Sequence, residues 1–125
     1  MTAPTELRVA KDRRRLTVTF PGREPVALEA ELLRVLSPSA EVQGHSPEQR
    51  VTVGGKRAVA ISRIDPVGNY AVRITFDDGH DTGLYTWTYL DTLGREQAER
   101  WQAYLDELAQ KGLSRDAPGQ QGRSP

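Results

Sequence analysis

The sequence predicts an α+β domain: a mostly antiparallel sheet, one short helix, and a C-terminal amphipathic helix packed on one face. Three observations lead to this fold class. Short stretches with apolar residues at every second position occupy much of the chain. One brief stretch with helical spacing interrupts them, and a longer amphipathic helical pattern lies near the C-terminus. A length of 125 residues suits a single domain with one core.

The N-terminal part predicts three short strands with one buried face, because apolar and polar residues alternate there. The alternating residues are Leu7 and Val9, then Leu16, Val18 and Phe20, then Val26 and Leu28. The dipeptide Pro21-Gly22 closes the second strand. The basic run KDRRR between the first two strands is typical of a solvated hairpin tip.

One short helix is predicted over residues 29–36, EAELLRVL, where the leucines fall at helical offsets and Pro38 prevents continuation. Residues 37–55 are rich in Ser, Pro, Gly and Gln, which predicts a loop, with a brief strand at 51–53 as a possible addition. The strongest strand pattern follows at Tyr70, Val72, Ile74 and Phe76. Residues 84–87 are interpreted as one further short strand or the start of a turn.

The last element is an amphipathic helix whose apolar stripe covers about four turns; the helical spacing begins at Thr92 and the helix ends near Gly112. Its buried stripe is predicted to contain Leu93, Gln97, Trp101, Tyr104, Leu105 and Leu108. Residues 113–125 have almost no apolar content and are predicted to form a disordered tail, which leaves 1–112 as the domain.

Composition excludes several function classes. Seventeen basic residues balance seventeen acidic ones, so no overall field favours nucleic acid or an anionic membrane as a partner. The chain has no cysteine, which removes disulfides, thiolate nucleophiles and cysteine-held metals. The sequence also shows no membrane span and no signal peptide. We therefore expect a soluble cytoplasmic protein, a monomer or weak dimer.

The stretch FDDGHDTGLYTW, residues 76–87, is the first candidate site. Asp78-Gly79 predicts a tight turn, since glycine accepts positive φ and aspartate tolerates it. His80, flanked by Asp78 and Asp81, is left as a candidate metal ligand or partner contact. The turn alone explains both glycines and at least one aspartate, so both interpretations stay open.

The second candidate site is the polar stretch that contains His45, the chain's other histidine. A loop histidine of this kind is most often solvated. If the two loops meet, His45, His80, Asp78 and Glu41 form a small polar cluster suited to a metal or an anion. The distance between the two imidazoles decides this, because a zinc ion binds its nitrogen ligands at about 2.0 to 2.1 Å.

The aromatic residues near the chain's end have two interpretations. Trp87, Tyr89, Tyr85 and Trp101 are open to forming a ligand-stacking set, but Trp87 and Trp101 are favoured as core anchors that join the last strand to the helix. Because Tyr85 and Tyr89 share the parity of Trp87, part of this aromatic set is also open to lining an exposed groove. No nucleophile elbow surrounds Ser37 or Ser39, no carboxylate pair has an acid and base role, and the glycines form no nucleotide-binding motif. Enzymatic activity stays open, a non-enzymatic role is favoured, and no cofactor is predicted.

Several stretches together resemble a known family. LLRVLSPSAEVQGH, IDPVGNYAVRITFDDGHDTGLYTWTYL and the opening LRV followed by RLTVTF are similar to the small bacterial proteins of the DUF971 family. That family of unknown function is related to the N-terminal domain of gamma-butyrobetaine hydroxylase. The resemblance covers roughly residues 5–110 and rests on long motifs.

The resemblance implies the position of a lost zinc site. In gamma-butyrobetaine hydroxylase and its trimethyllysine relative, this domain holds a structural zinc through three cysteines and one histidine. The cysteine positions correspond here to Ser37, Ser39 and Val42, and the histidine corresponds to His80. A neutral hydroxyl is a poor zinc ligand and valine is none, so we expect no metal at this remnant site.

The resemblance also implies a role by association. The catalytic dioxygenase domain of the relatives is absent from this chain, and similar segments are fused to P-loop iron–sulfur carriers in plants. An interaction or accessory module near iron–sulfur or metal handling is therefore expected, with an unidentified protein partner and no nucleic acid or membrane. Its predicted contact residues are Ser37, Ser39, Glu41, His45, Asp78, His80, Asp81, Tyr85 and Trp87. The alternative is a metal-binding protein that uses His80 and His45.

Overall fold

The computed structural model describes residues 2–44 and 47–116, and it confirms the α+β class. The described strands form two three-stranded antiparallel sheets, in the orders β1-β2-β3 and β4-β5-β6, where the sequence pattern suggests a single sheet. The strands are β1 (Glu6–Val9), β2 (Arg15–Thr19), β3 (Val26–Glu29), β4 (Ile61–Val67), β5 (Ala71–Phe76) and β6 (Leu84–Thr86). The helices are α1 (Ala30–Val35), α2 (Ala40–Gln43) and α3 (Trp87–Gln110), with a 3₁₀ turn at Pro47–Gln49.

The first sheet follows the predicted alternation. Leu16 lies opposite Leu28 in the β2–β3 pair, and both side chains are fully buried. Leu7 lies opposite Val18 in the β1–β2 pair and packs against the same core. One face of this sheet therefore covers the core while the alternate polar residues face outward.

The second sheet is built around β5, whose Val72, Ile74 and Phe76 are all buried. The turn between β4 and β5 contains Gly68, with a φ of 54°, in the left-handed region that favours glycine. The predicted turn at Asp78-Gly79 is confirmed, because the Gly79 N–H donates to the Phe76 carbonyl at 3.0 Å. Residues 77–83 then lead into β6.

Arg13 connects the two sheets. It adopts a φ of 63° in the β1–β2 turn. The Ile61 N–H donates to its carbonyl at 2.7 Å, and its guanidinium donates to the carbonyls of Ile61 at 2.7 Å and Ser62 at 2.6 Å. The basic run interpreted as a solvated hairpin tip thus includes one arginine that fastens the first sheet to the second.

Helix α3 is longer than the sequence pattern indicates. It spans 24 residues and begins at Trp87, which places Trp87 in the helix and makes β6 a strand of three residues. Thr86 is the reason, because its Oγ1 accepts a hydrogen bond from the Tyr89 N–H at 3.1 Å and caps the first turn. The buried stripe extends back from Leu93 through Leu90 to Trp87, at three-residue intervals.

The end of α3 lies close to the predicted position, at a glycine in the left-handed region. Gly112 has a φ of 67°, and the Leu113 N–H donates to the Leu108 carbonyl at 2.9 Å. The carbonyls of Ser114 and Arg115 then accept hydrogen bonds from the N–H groups of Gly55 and Arg57. The first residues of the predicted tail are therefore held against the domain, and the rest of the tail, 117–125, lies outside the described residues.

The segment predicted as a loop, 37–55, contains α2 and the 3₁₀ turn, and no strand forms at 51–53. The Val51 N–H donates to the Val42 carbonyl at 2.7 Å, and the Val53 carbonyl accepts from the Tyr104 hydroxyl at 2.6 Å. These contacts take the place of strand pairing at 51–53. Helix α2 was not predicted because a helix of one turn has too few positions to show an apolar period in the sequence.

One hydrophobic core joins β2, β3, α1, β4, β5, β6 and α3. Within residues 2–44 and 47–116, no helix has both the length and the apolar character needed to cross a membrane.

The cap of α3 gives a testable prediction. Replacing Thr86 with alanine removes the acceptor for the Tyr89 N–H, and we expect the free energy of unfolding to fall by about 1 kcal/mol. Thr88→Ala, at an exposed position in the same first turn, is the matched control and should change stability by less than about 0.5 kcal/mol. Urea denaturation followed by circular dichroism measures both. Equal losses in the two variants would contradict the capping role of Thr86.

Candidate functional site

Two of the predicted loops meet in the structure. We call residues 37–43, which follow α1, the serine segment, and residues 77–83, between β5 and β6, the histidine loop. Ser37 Oγ lies 2.8 Å from His80 Nε2, within hydrogen-bonding distance. Ser37 is 0% exposed and His80 is 7% exposed, so the contact is buried. The sequence left open whether the two loops meet. The structure brings His80 against the serine segment, and His45 lies outside the described residues.

The histidine loop is folded so that His80 points inward. The backbone carbonyl of His80 accepts a hydrogen bond from the Phe76 N–H at 2.9 Å. The His80 N–H donates to Asp78 Oδ1 at 3.0 Å, as expected for an aspartate two residues earlier in a turn. Gly79 allows the loop to reverse, with a φ of 91°. The imidazole is thereby placed under the turn rather than in solvent.

The serine segment is held by its own hydrogen bonds. The Ser39 N–H donates to Ser37 Oγ at 3.3 Å, and the Gln43 side-chain amide donates to the Ser37 carbonyl at 2.9 Å. Gly83 completes the junction, because a Cβ atom at this position would lie 2.5 Å from Ser37 Oγ. Only glycine permits this approach of the histidine loop to the serine segment.

The hydrogen bonds favour one protonation state of His80. Since Ser37 Oγ already accepts from the Ser39 N–H, its own hydrogen is available to His80 Nε2. The other ring nitrogen, Nδ1, then carries the proton and faces Glu41 Oε2 at 3.8 Å. Burial, together with the charge of Arg34, lowers the pKa of His80 from its ordinary value, so the imidazole is neutral at neutral pH.

Asp78 lies between two cations. Its Oδ2 is 2.7 Å from Arg34 Nε and 2.6 Å from Lys56 Nζ. Burial opposes the charged form, but hydrogen bonds from Lys56, the His80 N–H and Arg34 outweigh it and lower the pKa of Asp78 to about 2. Arg34 ties the end of α1 to the histidine loop through this carboxylate.

Glu41 provides a second connection between the same two segments. The Thr82 hydroxyl donates to Glu41 Oε1 at 2.9 Å, and the remaining carboxylate oxygen faces His80. Glu41 and Thr82 are both exposed. Asp81 also lies on the exposed side of the loop, so the acidic side chains of this site face solvent while Ser37 and His80 lie beneath them.

The aromatic candidates pack inside the domain. The Tyr85 hydroxyl donates to the Leu33 carbonyl at 2.5 Å, and Tyr85 is fully buried, so it lines no exposed groove. The Tyr89 hydroxyl donates to the Leu36 carbonyl at 2.5 Å. Both tyrosines thereby satisfy carbonyls at the end of α1 that lack intrahelical partners. Trp87 is buried, and its Nε1 donates to the Asn69 carbonyl at 2.8 Å.

The positions that correspond to the family's zinc ligands are enclosed. Ser37, Ser39, Val42 and His80 are all buried. Ser39 Oγ has no hydrogen-bond partner within the described part of the chain. Among residues 2–44 and 47–116, no group of three His, Cys, Asp or Glu side chains is arranged to hold a metal ion. The donor set of hydroxyls and one hydrogen-bonded imidazole does not fit zinc, and the loss of the family's metal stays a prediction.

Sequence reasoning missed Arg34, Lys56, Thr82 and Gly83 as parts of this site. Arg34 lies inside the LLRVLSPSAE motif, and Thr82 and Gly83 lie in the DTG sequence of the other motif. Their place in these motifs is the sequence feature that could have marked them as parts of the site. Lys56 lies in a Gly-rich stretch with no motif and has no such signal. Long-range pairing such as Arg34 with Asp78, 44 residues apart, is a property of the fold.

The fold and these two joined segments define a small α+β domain whose distinctive polar residues are mostly enclosed by its own packing. The chain belongs to the gamma-butyrobetaine hydroxylase-like N-terminal family, whose model matches residues 7–91. This confirms the resemblance carried by the SPSAE and DGHDTG motifs.

Three solved structures are similar to the chain. An NMR solution structure of a protein has 42% identity and a TM-score of 0.82, covering 99% of this chain and 98% of that one. A second NMR solution structure has 44% identity and a TM-score of 0.80, with coverages of 94% and 87%. A crystal structure of a protein of unknown function from the DUF971 family of Acidithiobacillus ferrooxidans has 36% identity and a TM-score of 0.60, covering 73% of this chain and 91% of that one. No curated protein matches the chain.

The lowered pKa of His80 gives a prediction for the pH dependence of stability. Below an unfolded pKa of about 6.5, the unfolded chain takes up a proton that the native imidazole resists, so the free energy of unfolding falls as pH drops. The loss is at most about 1.4 kcal/mol per pH unit and ends at the native pKa. Urea titrations between pH 7.5 and 5 should show this slope in the natural chain. His80→Gln should remove much of it, and an unchanged slope in His80→Gln would contradict this assignment.

The pairing of Asp78 gives a second prediction. Asp78→Asn leaves Arg34 and Lys56 without their carboxylate, and we expect the free energy of unfolding to fall by about 2 kcal/mol. Asp81→Asn removes the same charge from an exposed position of the same loop and should cost less than about 0.5 kcal/mol. Thermal and urea unfolding at pH 7 compare them. Similar losses in both variants would show that net charge, rather than the pairing, sets stability.

Proposed function

We propose that this protein is a non-enzymatic interaction module that binds a protein partner through the exposed surface of the serine segment and the histidine loop. The observation that supports the proposal is the buried Ser37–His80 contact at 2.8 Å, which joins segments 43 residues apart. A surface that is ordered before binding loses less conformational entropy when a partner arrives. The buried residues therefore act as a support, and their exposed neighbours make the contacts.

The exposed side chains define the chemistry of the partner. Glu41, Asp77 and Asp81 are all exposed on these two segments. Asp78, by contrast, already pairs with Arg34 and Lys56. Carboxylates in solvent favour a partner that presents lysine or arginine, since complementary charge increases the rate of association and excludes acidic surfaces. We propose a basic protein surface as the partner.

An enzymatic role has less support, although Ser37, His80 and Glu41 follow the order of a hydrolase triad. A nucleophile must be reached by its substrate, and Ser37 is 0% exposed. Glu41 Oε2 is 3.8 Å from His80 Nδ1, beyond the distance of a hydrogen bond that orients a catalytic base. The hydroxyl and imidazole are better explained as mutual hydrogen-bond partners that permit their burial.

The alternative of metal binding through His80 and His45 gains no support from the described contacts. A metal at His80 Nε2 would have to displace the Ser37 hydroxyl from a buried contact. A role near iron–sulfur or metal handling rests on the family resemblance alone. In our proposal the module acts as a monomer or weak dimer in the cytoplasm, without nucleic acid or membrane.

The test is charge reversal on the exposed surface. The full chain carries a photo-crosslinking residue at Thr82 and is incubated with lysate of its native host, and crosslinked proteins are identified by mass spectrometry. We expect one recurrent partner that is lost in Asp81→Lys and Glu41→Lys. Glu99→Lys, an equal charge reversal at an exposed position of α3, is the control and should retain it.

Circular dichroism and unfolding curves must show that all three variants fold as the natural chain does. Loss of the partner in Glu99→Lys as well, or its retention in Asp81→Lys and Glu41→Lys, would contradict the assigned surface. Absence of any recurrent crosslink in repeated experiments would count against the module itself.

A further inference from the structure

A second site lies away from the serine segment and the histidine loop. A cavity of about 450 Å³ opens between α3, the start of α1 and residues 57–59. This volume falls in the range of pockets that bind small molecules. Leu32 and Val59, both buried, and Trp101, half-buried, give it an apolar wall. None of the contact residues predicted for the serine segment and the histidine loop lines this cavity.

Most charged groups of the cavity are already paired. Glu31 is buried and accepts two hydrogen bonds from Arg115, at 2.9 Å and 2.6 Å. Glu29 pairs with Arg15 at 2.8 Å, and Arg57 pairs with Asp116 at 2.5 Å. These pairs neutralise both acidic residues of the lining and two of its three arginines.

Arg14 is the exception. Its guanidinium donates from Nη2 to the Arg57 carbonyl at 2.6 Å, which fixes it beside the cavity. It forms no ion pair with a carboxylate of residues 2–44 or 47–116. A guanidinium has five N–H donors in a planar fork that fits a carboxylate, sulfonate or phosphate. One positioned, unpaired cation therefore lies beside an apolar wall.

Trp101 forms the other recognition element. The Arg115 guanidinium lies over its ring at 5.1 Å from the centroid, and the ring centroid of Tyr104 is 5.2 Å away. Because Arg115 is itself fixed by the two bonds to Glu31, the indole has supports that restrict its rotation. A rigid aromatic surface binds a flat apolar group with little loss of side-chain entropy.

We propose that this cavity binds a small organic anion with a flat apolar body, whose acidic group pairs with Arg14 while its body packs on Trp101, Leu32 and Val59. A purely polar ligand would fit this cavity less well, because it would pair with Arg14 but leave the apolar wall without a contact. This site is separate from the loop surface, and its function goes beyond the interaction module proposed above.

The probe is anilinonaphthalene sulfonate, an aromatic anion, compared with phenylnaphthylamine, its neutral analogue without the sulfonate. Fluorescence titration of the full chain should show saturable binding of one sulfonate probe per chain. Arg14→Gln should weaken this binding about tenfold, as expected for loss of a charged hydrogen bond, and leave binding of the neutral analogue unchanged. Arg14→Lys keeps the positive charge but not the planar guanidinium, and it should weaken binding of the sulfonate probe less than Arg14→Gln does.

The matched control is Arg63→Gln, which removes the same charge from an exposed arginine of β4 outside the cavity. It should keep the dissociation constant within about twofold. In ¹⁵N-resolved NMR spectra, the indole signal of Trp101 should shift with the probe while that of Trp87, bonded to the Asn69 carbonyl, should not.

Three results would overturn the proposal: no saturable binding, equal weakening by Arg63→Gln and Arg14→Gln, or a probe-dependent shift of Trp87 without one of Trp101. Because none of these variants alters the serine segment or the histidine loop, failure here leaves the test of the interaction module intact.

Discussion

The buried contact between Ser37 and His80 is the interaction on which the arrangement of the two loops depends. Each group is costly to bury alone, and each satisfies the other at 2.8 Å. Arg34 with Asp78 and Thr82 with Glu41 add connections around it. The segments that sequence reasoning treated as free loops are consequently joined, and only side chains on their outer side remain available for contacts.

The Ser37–His80 contact lies where the family resemblance places a zinc ion. A hydrogen bond and a metal ion hold the two segments together in physically different ways. A metal organises its ligands through strong, directional bonds and stabilises the native state when it binds. Hydroxyl and imidazole groups provide one hydrogen bond, between Ser37 and His80, and among residues 2–44 and 47–116 the buried Ser39 Oγ finds no partner. Val42 fills its position with apolar volume. The remaining stability of this region must come from packing and from the ion pairs of Asp78.

Local patterns identified the fold class, the strands at Leu16 and at Val72 to Phe76, and the turn at Asp78-Gly79, because each is decided within a few residues. The start of α3 was missed because a threonine cap at Thr86 and one buried Trp87 change the boundary without changing the apolar period. Arg13 and Arg34 were missed because their partners are remote in sequence. The cavity was missed for the same reason, since its lining joins residues from Arg14 to Arg115.

Helix α1 supports both surfaces of the molecule. Glu31 faces the cavity and binds Arg115, while Arg34, one turn later, faces the histidine loop and binds Asp78. The Leu33 and Leu36 carbonyls at its end are held by two tyrosine hydroxyls. Coupling between distant sites requires an element with two arrangements that both ligands bias. The contacts that α1 makes with the cavity and with the histidine loop all hold one arrangement, so we expect the two proposed surfaces to bind independently.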